Sequence, residues 1–176
     1  RPDEDVIICY GDIVFEPRVL AAVLACDAPV ALAADAQWRE YWALRMDNPL
    51  ADAETFKMDA HGRVLELGNK PTGYEEIEAQ YMGLITIRAD YLSAFQQVYA
   101  SLAALPDTRT MYMTSLIQHL IDQGWHVQAA LVDNGWLEVD SVYDLETYGA
   151  MAADGSLARF CDLAQLGRTV SGRATR

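Results

Sequence analysis

Two acidic residues of this sequence directly follow apolar runs that are typical of buried strands. Asp12 comes after residues 6–10 with Gly11 as a spacer, and Asp35 comes after residues 30–34. In an open parallel sheet, ligands bind beyond the carboxyl ends of the strands, so both carboxylates stand where chemistry is expected. The pattern therefore indicates a metal site at Asp12, and the alternative is a turn aspartate that hydrogen-bonds its own backbone.

A second acidic segment, "GWLEVDSVYDL" at residues 135–145, also places a carboxylate at the end of a predicted strand. A short strand is predicted to end in Asp140, with Glu138 two residues earlier on the same face. The structural alternative is that Ser141 or Asp140 only caps the following helix. Either interpretation places Asp140 at the boundary between a strand and a helix.

The elements around these residues predict an α/β fold. A strand at 6–10, a helix starting near Pro17 and a strand at 30–34 form a βαβ pattern, which implies a parallel sheet. Further segments are predicted as a helix or loop at 37–46, a hairpin at 54–58 and 63–67, strands at 80–87, 126–132 and 136–140, helices at 91–105, 111–123, 145–152 and 156–166, and a disordered tail at 168–176.

Composition restricts the partners. The 176 residues are enough for one domain, predicted at 1–167, and the net charge of −13 argues against nucleic acid and anionic membrane surfaces. No apolar run reaches membrane-spanning length. The three cysteines, Cys9, Cys26 and Cys161, lack metal-ligand spacing and are predicted to be reduced core residues of a cytoplasmic protein.

The order of the motifs resembles a known family. "VIICYGDIVF" is similar to the strand and Gly-Asp motif of nucleotidyltransferases that act on sugar phosphates and alcohol phosphates, and "GWLEVDSVYDLE" is similar to their second acidic motif. The segments "DAQWREYWALRMDNPLADAETF", "VLELGNK" and "EIEAQYMGLITI" resemble the branch that includes phosphocholine and aminoethylphosphonate cytidylyltransferases. The resemblance covers residues 6–148.

The resemblance implies a Rossmann-like α/β fold with a mixed, mostly parallel sheet. It also implies nucleotidyl transfer, in which a phosphate or phosphonate oxygen attacks the α-phosphorus of a nucleoside triphosphate, with CTP favoured, and pyrophosphate leaves. Asp12 and Asp140 match the metal-binding pair of the family and would hold Mg²⁺, which takes one or two carboxylates and completes its shell with phosphate oxygens and water. Gly11 would let the backbone approach the ligand, and Lys70 would contact a reacting phosphate. For Lys70 the alternative is an ordinary solvated loop lysine.

The acceptor would meet aromatic and acidic side chains. A cationic acceptor is bound by aromatic faces and carboxylates, and the candidates are Trp38, Tyr41, Trp42, Tyr81, Trp136, Glu54, Glu78 and Glu138. Packing in the core is the alternative for the aromatic residues, and we expect it for Trp42, whereas Trp136 is expected at the pocket. The alternative functions are sugar-1-phosphate uridylyl or thymidylyl transfer, and a non-catalytic α/β module that oligomerises.

One part of the family pattern has no counterpart. The family begins with a strand and a glycine-rich loop that carries Arg and Lys and grips the triphosphate, and nothing before Val6 matches it. The expectation is therefore a domain without its N-terminal part. Three explanations are open: a fragment of a longer protein, a truncated chain that needs a partner such as a second copy, and a homologue that has lost catalysis.

Overall fold

The computed structural model describes residues 4–105 and 110–166. The tail predicted at 168–176 and the predicted domain end at 167 lie outside these residues. The strands are β1 Val6–Cys9, β2 Ile13–Phe15, β3 Val30–Asp35, β4 Phe56–Met58, β5 Val64–Leu67, β6 Gln80–Ile87, β7 Val127–Val132 and β8 Trp136–Glu138. The helices are α1 Pro17–Leu24, α2 Trp38–Arg45, α3 Ala89–Ala103, α4 Met113–Asp122, α5 Val142–Asp154 and α6 Leu163–Leu166, with 3₁₀ turns at Pro49–Ala51, Tyr74–Glu76 and Ser156–Arg159.

A four-stranded mixed sheet organises the chain in the order β1-β6-β3-β7. Strands β3 and β7 are parallel neighbours, and β6 is antiparallel to both β1 and β3. Three strands therefore run in one direction and the sheet is mixed, as predicted, and within the described sheet the β3–β7 ladder is the parallel one. The strands of the predicted βαβ unit, β1 and β3, run parallel but are not neighbours. Strand β6, which comes much later in the chain, lies between them.

Two apolar cores cover the two faces of the sheet, because alternate strand residues point to opposite sides. In β3, Val30 and Leu32 pack with α4 residues such as Leu120, whereas Ala31 and Ala33 pack with α1 and α2. All six residues of β3 are buried, which agrees with its continuously apolar sequence. The central strand thus anchors helices on both sides.

Strand β1 is more exposed than its sequence predicts. Residues 6–10 were expected to form a fully buried strand, yet the burial of β1 alternates and Ile7 is 46% exposed. The reason is that β1 is an outer strand of the described sheet and is hydrogen-bonded on one side only. For the same reason Cys9 is exposed, so the prediction of a core cysteine is wrong there and holds for the buried Cys161.

The C-terminal helix predicted at 156–166 is broken into the 3₁₀ turn Ser156–Arg159 and the short helix α6. At the break, the backbone N–H of Asp162 donates to the Glu16 side chain at 2.8 Å instead of continuing the helical pattern. The buried Cys161 lies beside this bond. Among the helices of the described residues, none has the length and apolar content needed to cross a bilayer.

Candidate functional site

Strands β2 and β8 form an antiparallel ladder that places the two acidic motifs side by side. Ile13 pairs with Glu138 in this ladder. At its end the backbone N–H of Val139 donates to the carbonyl oxygen of Asp12 at 2.9 Å. The structure thus brings Asp12 next to the segment that ends in Asp140, although the two are far apart in the sequence. Strand β2 was not predicted, and it is the element that makes this contact possible.

Asp12 lies in an open environment. Within the part of the chain that the structure describes, its carboxylate makes no hydrogen bond, so the turn-aspartate alternative is not observed. The neighbouring Gly11 is exposed, and a Cβ atom added there would meet nothing within 4 Å. A ligand therefore has free access to the backbone and to the carboxylate at this turn.

A buried arginine holds the second acidic motif. The Arg45 side chain is only 4% exposed, and its Nη1 and Nη2 atoms each lie 2.5 Å from a carboxylate, Glu138 and Asp140 respectively. Its Nε atom lies 3.2 Å from Asp144. The guanidinium also lies 5.6 Å from the ring centres of Tyr41 and Trp42 in its own helix. Through Arg45, and through the hydroxyl of Tyr41, helix α2 contacts strand β8 and helix α5.

The helix after Asp140 is capped by other residues. Ser141 is the N-cap of α5, and it forms a capping box in which its hydroxyl accepts from the Asp144 backbone N–H at 3.1 Å. Although burial acts to raise it, the pKa of Asp144 lies below its ordinary value, because Ser141 and Arg45 stabilise the carboxylate. Of the two residues named as possible caps, Ser141 is confirmed, and the Asp140 side chain takes no part in the cap.

The acids at this edge influence one another. Burial raises the pKa of Glu138 above its ordinary value, and the positive charge of Arg45 opposes this rise. The negative charges of Asp140 and Asp12 raise it further. A cation bound at this edge would therefore relieve mutual repulsion among three carboxylates.

A cleft of about 330 Å³ opens beside the acidic edge. It is lined by aromatic and acidic side chains together with two neutral polar ones, namely Tyr10, Trp42, Asp52, Glu54, Gln80, Tyr81, Tyr112, Thr114, Glu138 and Asp140. Four of the ten are carboxylates and four are aromatic. This combination suits a small ligand with an ammonium group.

Tyr10 reaches the cleft because β6 carries a glycine opposite it. Gly83 has φ +78°, and a Cβ atom there would lie 2.6 Å from the Tyr10 ring. The Tyr10 and Tyr81 rings are 5.8 Å apart in an edge-to-face arrangement. Only glycine combines this backbone conformation with so close an approach, so Gly83 allows the Tyr10 ring to lie where it does.

Glu54 lines the cleft, and Lys70 lies close enough for its charge to act on Glu54. Burial raises the pKa of Glu54, while Thr114, whose hydroxyl donates to it at 3.3 Å, and the charge of Lys70 both oppose the rise. The Lys70 ammonium donates to the carbonyl oxygens of Leu50 and Ala51. Lys70 is thus held near the cleft, and its contact with a phosphate stays a prediction.

The pocket assignment is corrected for three aromatic residues. Trp38, Tyr41 and Trp136 are 3%, 1% and 1% exposed and pack in the core rather than on the cleft, because α2 lies against the sheet. Trp42 packs in the core, as expected, and it also lines the cleft. The Tyr41 hydroxyl nevertheless supports the site, since it accepts from the Glu138 backbone N–H at 2.7 Å.

Two of the acidic candidates have structural roles. The Glu78 carboxylate accepts from the Met58 backbone N–H at 2.6 Å, so it supports the β4–β5 hairpin and does not line the cleft. Asp35 is fully buried, and it accepts from two backbone N–H groups and from the Trp136 indole. The expectation of chemistry at Asp35 is therefore wrong, because every one of these bonds stabilises the fold.

Sequence reasoning missed Arg45 and several residues of the cleft, among them Tyr10, Asp52 and Tyr112. Arg45 lies in the segment "QWREYWALRM", whose mixture of aromatic and basic residues gives no sign of which arginine is buried. Helical spacing does not separate the two arginines either, because Arg39 and Arg45 each lie three residues from Trp42.

The donor set at the acidic edge fits Mg²⁺ when water or substrate oxygens complete the shell of the ion. Among the described residues, no group of three or more metal-binding side chains is present. Two carboxylates, Asp12 and Asp140, on adjacent segments match what Mg²⁺ takes from a protein when phosphate oxygens and water complete its shell. One oxygen of Asp140 is already bonded to Arg45, which leaves the other for a metal.

Comparison with known proteins bears on the fold and on the class of protein. No protein-family model matches the chain. Over 148 residues, which are 81% of this chain, it is 38% identical to the CTP:phosphoglutamine cytidylyltransferase of Campylobacter jejuni. The alignment covers 58% of that relative, so the chain spans little more than half of its length.

Solved structures show the same fold. The inositol-1-phosphate CTP transferase from T. maritima matches with a TM-score of 0.61 at 17% identity, over 90% of this chain and 58% of that protein. A putative glucose-1-phosphate thymidylyltransferase from Bacillus anthracis matches with a TM-score of 0.58 at 11% identity, over 86% of this chain and 56% of the other. The α/β fold predicted from the strand and helix order and from the family resemblance is confirmed.

Proposed function

We propose that this chain, which is related to the nucleotidyltransferases in sequence and fold, transfers CMP from CTP to a small phosphorylated acceptor and releases pyrophosphate. The observation that carries the proposal is the hydrogen bond from Val139 to Asp12, which sets the two acidic motifs side by side next to an open cleft. The 38% identity to a cytidylyltransferase favours CTP over other triphosphates.

Asp12 and Asp140 are the proposed ligands of Mg²⁺. When bound, the ion would offset the repulsion between two anionic reactants and align them for in-line displacement. The chain's own residues supply the rest: Arg45 holds Asp140, and Gly11 leaves space for the backbone to approach the phosphates. Lys70 is proposed to move from its carbonyl partners to a phosphate oxygen and to stabilise the charge of that oxygen.

The acceptor is proposed to carry an ammonium group besides its phosphate or phosphonate. Phosphocholine, aminoethylphosphonate and phosphoglutamine, the last being the substrate in the name of the relative, all combine these two features. The cleft offers the aromatic ring of Trp42 and the carboxylates of Asp52 and Glu54 to the cation. Its acidic lining would repel a sugar phosphate that has no positive charge.

The test is pyrophosphate release with Mg²⁺ and a panel of substrates. CTP, UTP, ATP and dTTP are each combined with phosphocholine, aminoethylphosphonate, phosphoglutamine and glucose-1-phosphate. Where the gene encodes residues before Arg1, its full product is assayed beside this chain. We expect release with CTP and one of the three ammonium-bearing acceptors. Preference for UTP or dTTP with glucose-1-phosphate would contradict the specificity, and no release with any pair would favour a non-catalytic module.

A further inference from the structure

The guanidinium of Arg45 binds three carboxylates that belong to the acidic edge, each through a different nitrogen. Nη1 contacts Glu138 at the end of β8, Nη2 contacts Asp140, and Nε contacts Asp144 in the first turn of α5. The arginine thus determines the spacing of a strand end, a loop and a helix start. A lysine carries the same charge, but it lacks the planar fork that directs three donors separately.

The burial of the Arg45 side chain indicates that its three ion pairs are a fixed part of the fold. Arg45 and Asp144 have side chains only 4% exposed, and a buried charge without its partners is strongly unfavourable. Exposed ion pairs of the same chain differ: in Arg159–Glu40 the side chains are 59% and 74% exposed, so the pair contributes little. The Arg45 cluster therefore has one preferred geometry.

Asp140 is the member of the cluster that faces solvent. Its side chain is 52% exposed, and its Oδ2 atom accepts from Arg45. Among the described residues, the other oxygen, Oδ1, accepts no hydrogen bond. The cluster thus fixes one oxygen of the carboxylate and leaves the second available to a cation.

We propose that Arg45 is a positioning residue, which holds the Asp140 carboxylate in the orientation that binds the divalent metal ion. The inference rests on the proposed metal role of Asp140, and it assigns a function to a residue outside both acidic motifs. Partners that orient a metal ligand affect metal affinity by about 10–100-fold, although they never touch the metal.

A role as a simple counter-ion makes a different prediction. If Arg45 only reduced the negative charge of the edge, a variant that keeps the charge would bind metal as the wild type does. Removing the charge would then tighten cation binding, because repulsion would be lost. A positioning role predicts weaker binding even when the charge is kept.

The experiment measures Mn²⁺ binding to the whole chain by electron paramagnetic resonance, without nucleotide. The variants are Arg45→Lys, which keeps the charge, and Asp140→Asn, which removes the proposed ligand. Arg159→Met is the control, because it removes an exposed guanidinium that pairs with the same helix α2. Thermal unfolding establishes that each variant is folded.

We expect Arg45→Lys to weaken Mn²⁺ binding about tenfold, Asp140→Asn to weaken it at least as much, and Arg159→Met to leave it unchanged. Binding that Asp140→Asn removes but Arg45→Lys leaves intact or tightens would overturn this inference alone. Absence of any Mn²⁺ binding that depends on Asp140 would overturn the proposed metal site as well.

A measurement on the wild type covers the case in which Arg45→Lys does not fold. Mg²⁺ is titrated into protein with ¹⁵N-labelled arginine, and the side-chain signals are followed by nuclear magnetic resonance. The Arg45 signals should shift with Mg²⁺ while those of Arg159 stay in place. Arg45 signals that do not respond to Mg²⁺ would overturn the inference.

Discussion

Asp12 and Asp35 have similar sequence contexts and different environments. Asp12 follows the apolar strand β1, and Asp35 is the last residue of the apolar strand β3. Both were expected to take part in chemistry. Asp35 is fully buried and accepts from Gln37, Asn134 and Trp136. Asp12 is exposed, and in the described part of the chain its carboxylate accepts no hydrogen bond.

The difference comes from the position of each strand in the sheet. β3 is central and covered on both faces, so a carboxylate at its end must be satisfied by protein donors. β1 is an outer strand of the described sheet, and the turn after it opens to solvent. A strand-end carboxylate is therefore available to a ligand only where the fold leaves its oxygens without donors.

The largest effect is expected from Asp12→Asn. Loss of one proposed metal ligand should lower CMP transfer by about 100-fold or more, since removal of one preorganised electrostatic group typically costs that much. The free energy of unfolding should change by less than about 0.5 kcal/mol, because the side chain is exposed and unbonded. Rates from pyrophosphate release and urea unfolding curves check both. A normal rate would show that Asp12 is an ordinary turn residue.

Asp35→Asn should reverse this pattern. The amide group would turn an N–H toward a protein donor, and the loss of charged hydrogen bonds should lower the free energy of unfolding by about 2–3 kcal/mol. Asp27→Asn is the control, since Asp27 has a side chain that is 98% exposed, and it should change stability by less than about 0.5 kcal/mol. Equal stability of the two variants in urea unfolding would contradict a structural role for the hydrogen bonds of Asp35.

Glu54→Gln tests the acceptor end of the cleft. The KM of the acceptor should rise about fivefold while the KM of CTP stays constant, because a partly buried carboxylate pairs with the ammonium group. The control is Glu78→Gln, which lies outside the cleft.

The acceptor KM is expected to depend on pH through the ionisation of Glu54. Burial raises the pKa of Glu54, and only the ionised form pairs with a cation. In the wild type the acceptor KM should therefore rise as the pH falls through the range just above the ordinary pKa of glutamate. The Glu54→Gln variant should lack this rise, and a parallel pH profile in both proteins would exclude Glu54 as the group responsible.

The smallest effect is expected from Ser141→Ala. Loss of the N-cap of α5 should cost about 1 kcal/mol of stability, as helix caps typically do. Asp140→Asn should cost less, because the Asp140 side chain takes no part in the capping box, is 52% exposed, and leaves Glu138 and Asp144 paired with Arg45. Thermal unfolding of the two variants distinguishes them, and a larger loss for Asp140→Asn would return Asp140 to a structural role.

Most of the fold followed from local patterns in the sequence. Strand β6 was predicted with both of its boundaries, and the β4–β5 hairpin was predicted from the turn around Gly62, because periodicity and turn residues are local signals. The place of β6 between β1 and β3 was not predicted, since strand order depends on contacts between distant segments. Strand β2 was missed because three residues are too few to show a period.

The site was predicted in part, and the errors have one physical cause. Asp12 and Asp140 were chosen by their places after strands, and the structure brings their segments together. Trp42 lies in the core as expected but also lines the cleft, and Trp136 is wholly in the core, since the direction of each side chain depends on how α2 and β8 pack. Arg45 was missed because burial of a charge cannot be seen in the sequence when its three partners lie far along the chain.

The most direct test of the central claim is a double-mutant cycle on metal-dependent CTP binding. Calorimetry measures the affinity for CTP with Mn²⁺ in the wild type, in Asp12→Asn, in Asp140→Asn and in the double variant. If both carboxylates hold the same ion, each single change weakens binding about tenfold or more, and the double change adds little further loss. Strictly additive losses, or single variants that bind as the wild type does, would contradict a shared metal site.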